Sequence, residues 1–432
     1  MAGPVRHPID VAALERYLGE HVPEIEVPLD VKQFGFGQSN PTYQLTSRAT
    51  GARYVLRKKP PGKLLSQSAH KVEREHRVIA ALHGGATGVP VPRPYLLCED
   101  DAVLGTPFYV MQFLDGRILE DPYMRSSPSP SPSPSPEGKQ QQQQQQPIIS
   151  AEERAALWRA AVETLARLHA VDRAKVGLAS FGKGDGFYAR QVATWRRICE
   201  AQARTVDVET GRAVGHVPHF EDLLGFFGDE RKRAGRPRDD RVTLVHGDYK
   251  IDNLVFHQTE PRVVGILDWE MSTVGHPLSD LANLLHPFYG AGPGIVDDGE
   301  GSSSEESNSD SDSDNDIPGL PTPSTIVKWY GEAAGWAVPE PEMAWATAFS
   351  VFRLSAICQG IAARVATRQA SSASARRHAE AMRPLAERAW EMVLLCKRKA
   401  DEEEEEEEEE KKKTTKKEEE EGVPKDTAKA KL

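Results

Sequence analysis

Residues 245–270, VHGDYKIDNLVFHQTEPRVVGILDWE, hold the densest set of side chains able to do chemistry. Asp248 is followed by Lys250 at plus two and Asn253 at plus five, and an apolar stretch then delivers Asp268 in Asp-Trp-Glu. Phosphoryl transfer needs a carboxylate that orients and deprotonates an acceptor hydroxyl, and oxygen ligands that hold magnesium on nucleotide phosphates. Asp248 suits the first need; Asn253 and Asp268 suit the second. Asp and Asn also stabilise turns, which would account for either residue alone. It does not account for His-Gly-Asp, a fixed interval, Asn, a strand and then Asp-Trp-Glu.

A second stretch suits the same chemistry. In Gly35-Phe36-Gly37-Gln38-Ser39-Asn40, glycines and small polar residues between two strands let backbone N–H groups approach phosphates. By itself this reads as a hairpin turn. With the distal motif in the same chain, Gly35, Gly37, Ser39 and Asn40 are expected to contact nucleotide.

These residues need elements to position them. Residues 29–60 alternate apolar and polar with glycine punctuation and read as a β-meander. Residues 68–83 put Val72, Val78, Ile79 and Leu82 on one helical face behind a Ser68 cap. Strands over 95–98 and 107–113 complete a small sheet. From Ser150 onward the pattern is mainly helical (151–169, 191–203, 220–227, 325–334, 343–367 and 375–399), with short strands over 242–246, 254–257 and 263–267 around the chemical motif. The expected class is α+β and bilobal: a 1–24 extension with a helix, a nucleotide-binding sheet lobe over 25–116, a linker over 117–149, and a helical catalytic and acceptor-binding lobe over 150–400. Three low-complexity segments, 126–147, 297–316 and 401–432, bury too little apolar surface to offset the entropy of ordering, so disorder is expected there, with a short solitary helix as the alternative for the tail.

Composition bounds the partners. The chain has 432 residues, 39% hydrophobic, and a net charge of −11. Residues 297–316 contribute −9 and residues 401–432 contribute −7, which leaves the body at about +5. A mildly basic body with acidic appendages argues against nucleic-acid binding and suits phosphate-bearing small molecules. Cys98, Cys199, Cys358 and Cys396 are widely spaced, so no zinc site or disulfide framework is suggested and a reducing compartment is expected. No apolar run of membrane-spanning length is read, and the opening residues lack the form of a signal peptide.

The His-Gly-Asp, Asn and Asp-Trp-Glu pattern resembles the aminoglycoside phosphotransferase family, whose fold is similar to that of protein kinases. More narrowly, it resembles the kinase-like domain that precedes some acyl-CoA dehydrogenases. The resemblance covers about residues 25–395 outside the inserts. It implies ATP and Mg²⁺ as cofactors, Asp248 as catalytic base, His246 as loop organiser, and Asn253 and Asp268 as metal ligands. Gly247 and Asp-Trp-Glu, where protein kinases carry Arg and Asp-Phe-Gly, favour a small-molecule acceptor. Tyr54-Val55-Leu56-Arg57 stands where kinases carry a lysine strand, and alternation puts Arg57 on the face of Val55 with Lys58 opposite. Arg57 is therefore the expected phosphate-binding cation among Arg57, Lys58 and Lys59, paired with Glu75. Met111 would line the adenine pocket, and the backbone of Gln112 to Leu114 would bond the base.

Asp280 is expected to anchor the catalytic loop, and Leu168, His169 and Asp172 to serve packing and capping. Arg190, Trp195, Arg353, Gln359 and Arg364 match positions bordering the acceptor pocket, where packing is at least as good a reading. The implied activity moves the γ-phosphate to a hydroxyl of a small metabolite, with a hydroxyacyl-CoA or hydroxy acid suggested by the dehydrogenase relatives. The alternative is an inactive pseudokinase acting as a nucleotide-binding module. Ala430-Lys431-Leu432 keeps the small-basic-leucine pattern of a peroxisomal address, which predicts an import receptor as partner and a peroxisomal location, with the cytoplasm as the alternative.

Overall fold

The computed structural model describes residues 2–35, 40–60, 71–125, 149–229, 235–238, 240–289, 317–370 and 374–420. Gly37 and Ser39, both expected at the phosphates, lie outside the described residues, as do both internal inserts, 126–147 and 297–316, and residues 421–432 with their Ala-Lys-Leu. The chain divides into two compact units, Met1–Tyr188 with Asp239–Val338, and Ala189–Arg238 with Pro339–Leu432. This division does not fall at residue 116, because the sheet and the segments bearing the chemical motif belong to one unit.

That first unit opens with β1 (Ala2–Gly3), α1 (Val11–His21), β2 (Leu29–Phe34), β3 (Thr42–Ser47), β4 (Arg53–Lys58), α2 (Val72–Gly84), β5 (Pro94–Cys98), α3 (Asp101–Leu104) and β6 (Phe108–Gln112). The strands form one antiparallel sheet in the order β1-β2-β3-β4-β6-β5. Period-two alternation sends Tyr43, Leu45, Tyr54, Leu56, Phe108 and Val110 into a core with Leu14 and Leu18 of α1. The Asp10 carboxylate accepts from the Ala13 N–H and starts α1. The helix expected from residue 68 begins instead at Val72, where the N-cap Lys71 makes no side-chain bond.

The same unit continues with β7 (Arg117–Ile118), α4 (Ala151–His169), the start of α5 (Phe187–Ala203) and, past α6 (Phe220–Gly228), with β8 (Thr243–Val245), β9 (Leu254–Phe256), β10 (Val263–Ile266), β11 (Thr273–Gly275), α7 (Leu278–Leu284), α8 (His286–Tyr289) and α9 (Pro323–Ala334). Two small sheets, β10-β9-β7 and β11-β8, frame the motif. Four of these elements, β7, β11, α7 and α8, were not legible in the sequence.

Arg154 of α4 closes this region. It is 6% exposed and donates to the carbonyls of Tyr123 and Met124 at 3.0 Å, of Ile149 at 3.3 Å, and of Pro318. These carbonyls come from the chain just before and after the first insert and just after the second, so one buried guanidinium gathers three chain ends. Hydrogen bonds to a charged group are among the stronger ones, and leaving their acceptors buried and unpaired is costly. Arg154→Met is expected to lower stability by about 3 kcal/mol. An unchanged melting temperature would show that the clamp is redundant.

In the second unit, Phe227 of α6 packs on Trp345, Phe349 and Phe352 of α10 (Glu340–Ala366). α10 is followed by α11 (Ala375–Glu380) and α12 (Met382–Glu420). By length and composition, α10 could cross a membrane, contrary to the sequence reading, but 67% of its most apolar stretch is buried, as suits a core helix. The tail follows the alternative reading rather than the disorder expected of it: α12 continues through Glu420. Glu and Lys are good helix formers, and the pairs Glu408–Lys412 at 3.4 Å and Glu409–Lys413 at 3.2 Å support the helix without any core.

Candidate active site

The loop after β8 is held by a buried carboxylate. Asp280, fully buried on α7, accepts the His246 N–H at 2.7 Å and the Gly247 N–H at 2.8 Å. Gly247 adopts φ +89°, and a Cβ there would collide with the Met271 carbonyl. Glycine is thus required by backbone conformation and by close approach. His169 is not mere packing: its Nε2 lies 3.2 Å from Asp280 Oδ2 and its Nδ1 2.8 Å from the Tyr330 hydroxyl. Burial pushes the Asp280 pKa up, but the His169 bond, the neighbouring His246 and the Gly247 N–H outweigh it and hold the carboxyl below its usual range.

Asp248 follows this anchored pair. The Asn253 side-chain Nδ2 donates to the Asp248 carbonyl at 2.8 Å and to its carboxylate at 3.0 Å, which fixes the carboxylate and leaves the Asn253 carbonyl oxygen as an acceptor. Lys250 Nζ lies 3.7 Å from Asp248 and 3.1 Å from Asp252. Burial lowers the Lys250 pKa, yet these two carboxylates prevail and raise it.

The hairpin β9–β10 brings the metal-type residues together. The Leu267 N–H donates to the Asn253 carbonyl at 2.9 Å, so Asp268 emerges beside Asn253. Asp268 itself sits at φ +61°, a left-handed conformation unusual for a non-glycine residue and a mark of a functional turn. Trp269 is buried behind it, its Nε1 donating to the Ile266 carbonyl at 2.9 Å and its ring 4.7 Å from that of His246.

Arg57 joins this turn to the sheet. Its Nη2 lies 2.7 Å from Asp268 Oδ1 and 3.5 Å from Glu270 Oε2, and its Nε lies 3.2 Å from Glu75 Oε2. Lys58 lies on the opposite face, largely buried, its pKa lowered by that burial. Burial opposes the Arg57 charge, but Glu75, Tyr109 and Asp268 overcome it and keep the guanidinium protonated. Glu75 is 1% exposed and accepts from the Tyr109 hydroxyl at 3.4 Å. Burial pushes its pKa up to about 8 against the pull of Arg57, because Asp268 and Glu270 crowd it.

Glu270 was missed as a site residue, although its place two residues after Asp268 was a usable signal. Carboxylate oxygens of Glu75, Asp268 and Glu270 all lie within 4.8 Å of one another. Asn40 donates to Glu270 at 3.5 Å, while Asn40 Oδ1 and Glu75 Oε1 are buried without a hydrogen-bond partner among the described residues. These three carboxylates and the Asn40 oxygen, beside the Arg57 guanidinium, make a donor set of hard oxygens that fits a divalent cation.

Other expected residues are placed as follows. Gly35 ends β2, and its carbonyl accepts from Arg6 at 3.3 Å. Met111 is buried on β6 opposite Val55. The Gln112 N–H already donates to the Arg93 carbonyl at 2.8 Å, so within the expected hinge Gln112 could offer a base its carbonyl but not its N–H. Leu114 packs where a Cβ on Gly265 would otherwise sit. Arg190, Trp195, Arg353, Gln359 and Arg364 belong to the second unit, where Gln359 is buried and donates to the Gly215 carbonyl at 2.8 Å.

An antiparallel sheet carrying a cation–glutamate pair, followed by an anchored loop with Asp and Asn and a hairpin ending in Asp, defines a protein-kinase-like fold. Residues 30–306 match the phosphotransferase enzyme family, and the chain belongs to that family. The crystal structure of a Ralstonia eutropha protein provisionally assigned as an aminoglycoside phosphotransferase is 33% identical, with a TM-score of 0.68 over 89% of this chain and 98% of that one. Chicken acyl-CoA dehydrogenase family member 11 is 37% identical over 391 residues, 90% of this chain but 44% of the relative. The chain thus spans less than half the length of the curated relatives it matches. A Cryptosporidium parvum choline kinase shares the fold, with a TM-score of 0.52, at 11% identity over 91% of this chain and 97% of that one.

Proposed function

We propose that this chain moves the γ-phosphate of ATP, with magnesium, to a hydroxyl of a small metabolite. The observation that carries this reading is the joint hold on Asp248 and Asp268: Asn253 bonds the Asp248 carboxylate through its side chain and the segment entering Asp268 through its backbone. Asp248 then accepts the proton of the acceptor hydroxyl as that oxygen bonds the γ-phosphorus and the bond to the bridging oxygen breaks, releasing ADP, and no covalent enzyme intermediate is required. Asn253, Asp268 and Glu270 would hold the metal, and Arg57 the nucleotide phosphates. When bound, magnesium supplies neutralisation of phosphate charge. Gly35 and Asn40 would stand beside the phosphates, with Met111 and Leu114 beside the base.

For the acceptor, the relatives named as acyl-CoA dehydrogenases support a hydroxy acid or hydroxyacyl-CoA, and a body near +5 suits an anion. Fold by itself does not choose a substrate. The test is ADP release from Mg·ATP over a panel of hydroxy acids, hydroxyacyl-CoA thioesters and amino alcohols. Release dependent on one anionic class is expected. Nucleotide binding with no acceptor-dependent turnover across the panel would favour a nucleotide-binding module instead.

A further inference from the structure

Glu75 reaches Arg57 only while α2 stays where it is, and two arginines of the same helix bear on that. Arg74 places its guanidinium 3.7 Å from the centroid of the Phe181 ring and donates from Nη2 to the Ser272 carbonyl at 3.3 Å. Arg77, one turn on, donates to the Gly177 carbonyl at 3.3 Å and to Ser180 Oγ at 3.2 Å, with the same ring 5.9 Å away. Ser272 lies two residues beyond Glu270, and its own N–H bonds the Trp269 carbonyl at 3.1 Å. The helix is thereby tied to the turn bearing Asp268 and Glu270 and to the loop after α4. Phe181 is itself buried, 3% exposed, so the ring is a fixed seat. Burial first, and Arg77 second, make the Arg74 charge costly, which a purely solvated helix face would not incur.

In kinase-like sites the strand cation and helix glutamate must be in place together, and a helix that can swing makes that pairing conditional. We propose that Arg74, seated on Phe181, is a positioning residue that holds α2 against the Asp268–Glu270 turn, so that Arg57 is set for nucleotide phosphates without a separate activation step. The proposal rests on the phosphotransferase reading and deepens it. Arg74 acts through Glu75 and Arg57, which predicts coupling among the three rather than independent losses.

The test uses calorimetric titration of the full chain with Mg·ADP, so no acceptor is needed. Arg74→Ala is expected to weaken binding about tenfold, which corresponds to about 1.4 kcal/mol. Arg74→Lys, which keeps a cation over the ring, should stay within roughly threefold of wild type. In a Glu75→Gln background, adding Arg74→Ala should cost less than about twofold more, because the route through Glu75 is already broken. Should Arg74→Ala not fold, Phe181→Leu removes the aromatic seat while retaining apolar bulk, and the same losses are expected. Wild-type affinity in a folded Arg74→Ala or Phe181→Leu protein, or a full multiplication of losses in the double variant, would overturn the proposal. A wild-type chain that binds no Mg·ADP would overturn the phosphotransferase reading itself, and this proposal with it.

Discussion

Asp248→Asn should reduce turnover by about 10³-fold or more while leaving Mg·ATP affinity within roughly threefold of wild type, since a positioned general base contributes on that scale. The amide has the carboxylate's shape and still offers an oxygen to Asn253 Nδ2, which lies 3.0 Å from it in the wild type. What it loses is the ability to take a proton. Asp268→Ala should differ in kind, because that residue holds Arg57 at 2.7 Å and, on the proposed reading, would hold the metal beside Asn253. It should lose turnover and at least about tenfold in nucleotide affinity together. Steady-state kinetics and calorimetry on both purified, folded variants separate the two effects. Ordinary turnover in either would remove the mechanism.

Arg57→Met is the second large effect, and it should appear in stability as well as in kinetics. Arg57 is the cation shared by Glu75, Asp268 and Glu270. Removing one partner from a buried ion pair typically costs about 3–5 kcal/mol because the other charge is left uncompensated. Glu75, at 1% exposure and with its pKa already raised by burial, is the carboxylate most affected, and loss of Arg57 should raise that pKa further. The Michaelis constant for ATP should rise at least about tenfold. Arg57→Met combined with Glu75→Gln should recover much of the melting temperature but none of the nucleotide affinity, which distinguishes buried-charge cost from phosphate binding. Lys58→Met should leave that Michaelis constant unchanged, since Lys58 lies on the other face of β4. An increase confined to Lys58→Met would mean that the nucleotide contacts that face instead.

How far the sequence could be read depended on the range of the interaction. The β-meander over residues 29–60 was legible because alternation is a local property, and β2, β3 and β4 pair in sequence. The choice of Arg57 over Lys58 came from the same alternation. The helix bearing Glu75 was legible, but not that Glu75 would be buried with its apolar neighbours. Its period places Val72, Val78, Ile79 and Leu82, while the desolvation of a carboxylate depends on what covers it. For residues 401–420 the helix, given as the alternative, prevailed over disorder, because a burial criterion does not weigh a helix that rests on propensity and Glu–Lys spacing.

That Asp248, Asn253 and Asp268 come together was legible in the sequence alone, because one loop and one hairpin carry all three and their spacing reflects local geometry. Lys250 and Gly247 belong to the same short range. Tertiary structure decided what surrounds them. Arg57 meets Asp268 across 211 positions, Asn40 meets Glu270 across 230, and His169 meets Asp280 across 111. It also decided that the Gln112 N–H is already engaged and that Arg74 rests on Phe181. A residue type and a spacing can specify a backbone turn, whereas charge pairing, burial and hydrogen-bond competition belong to atoms that only folding brings within reach.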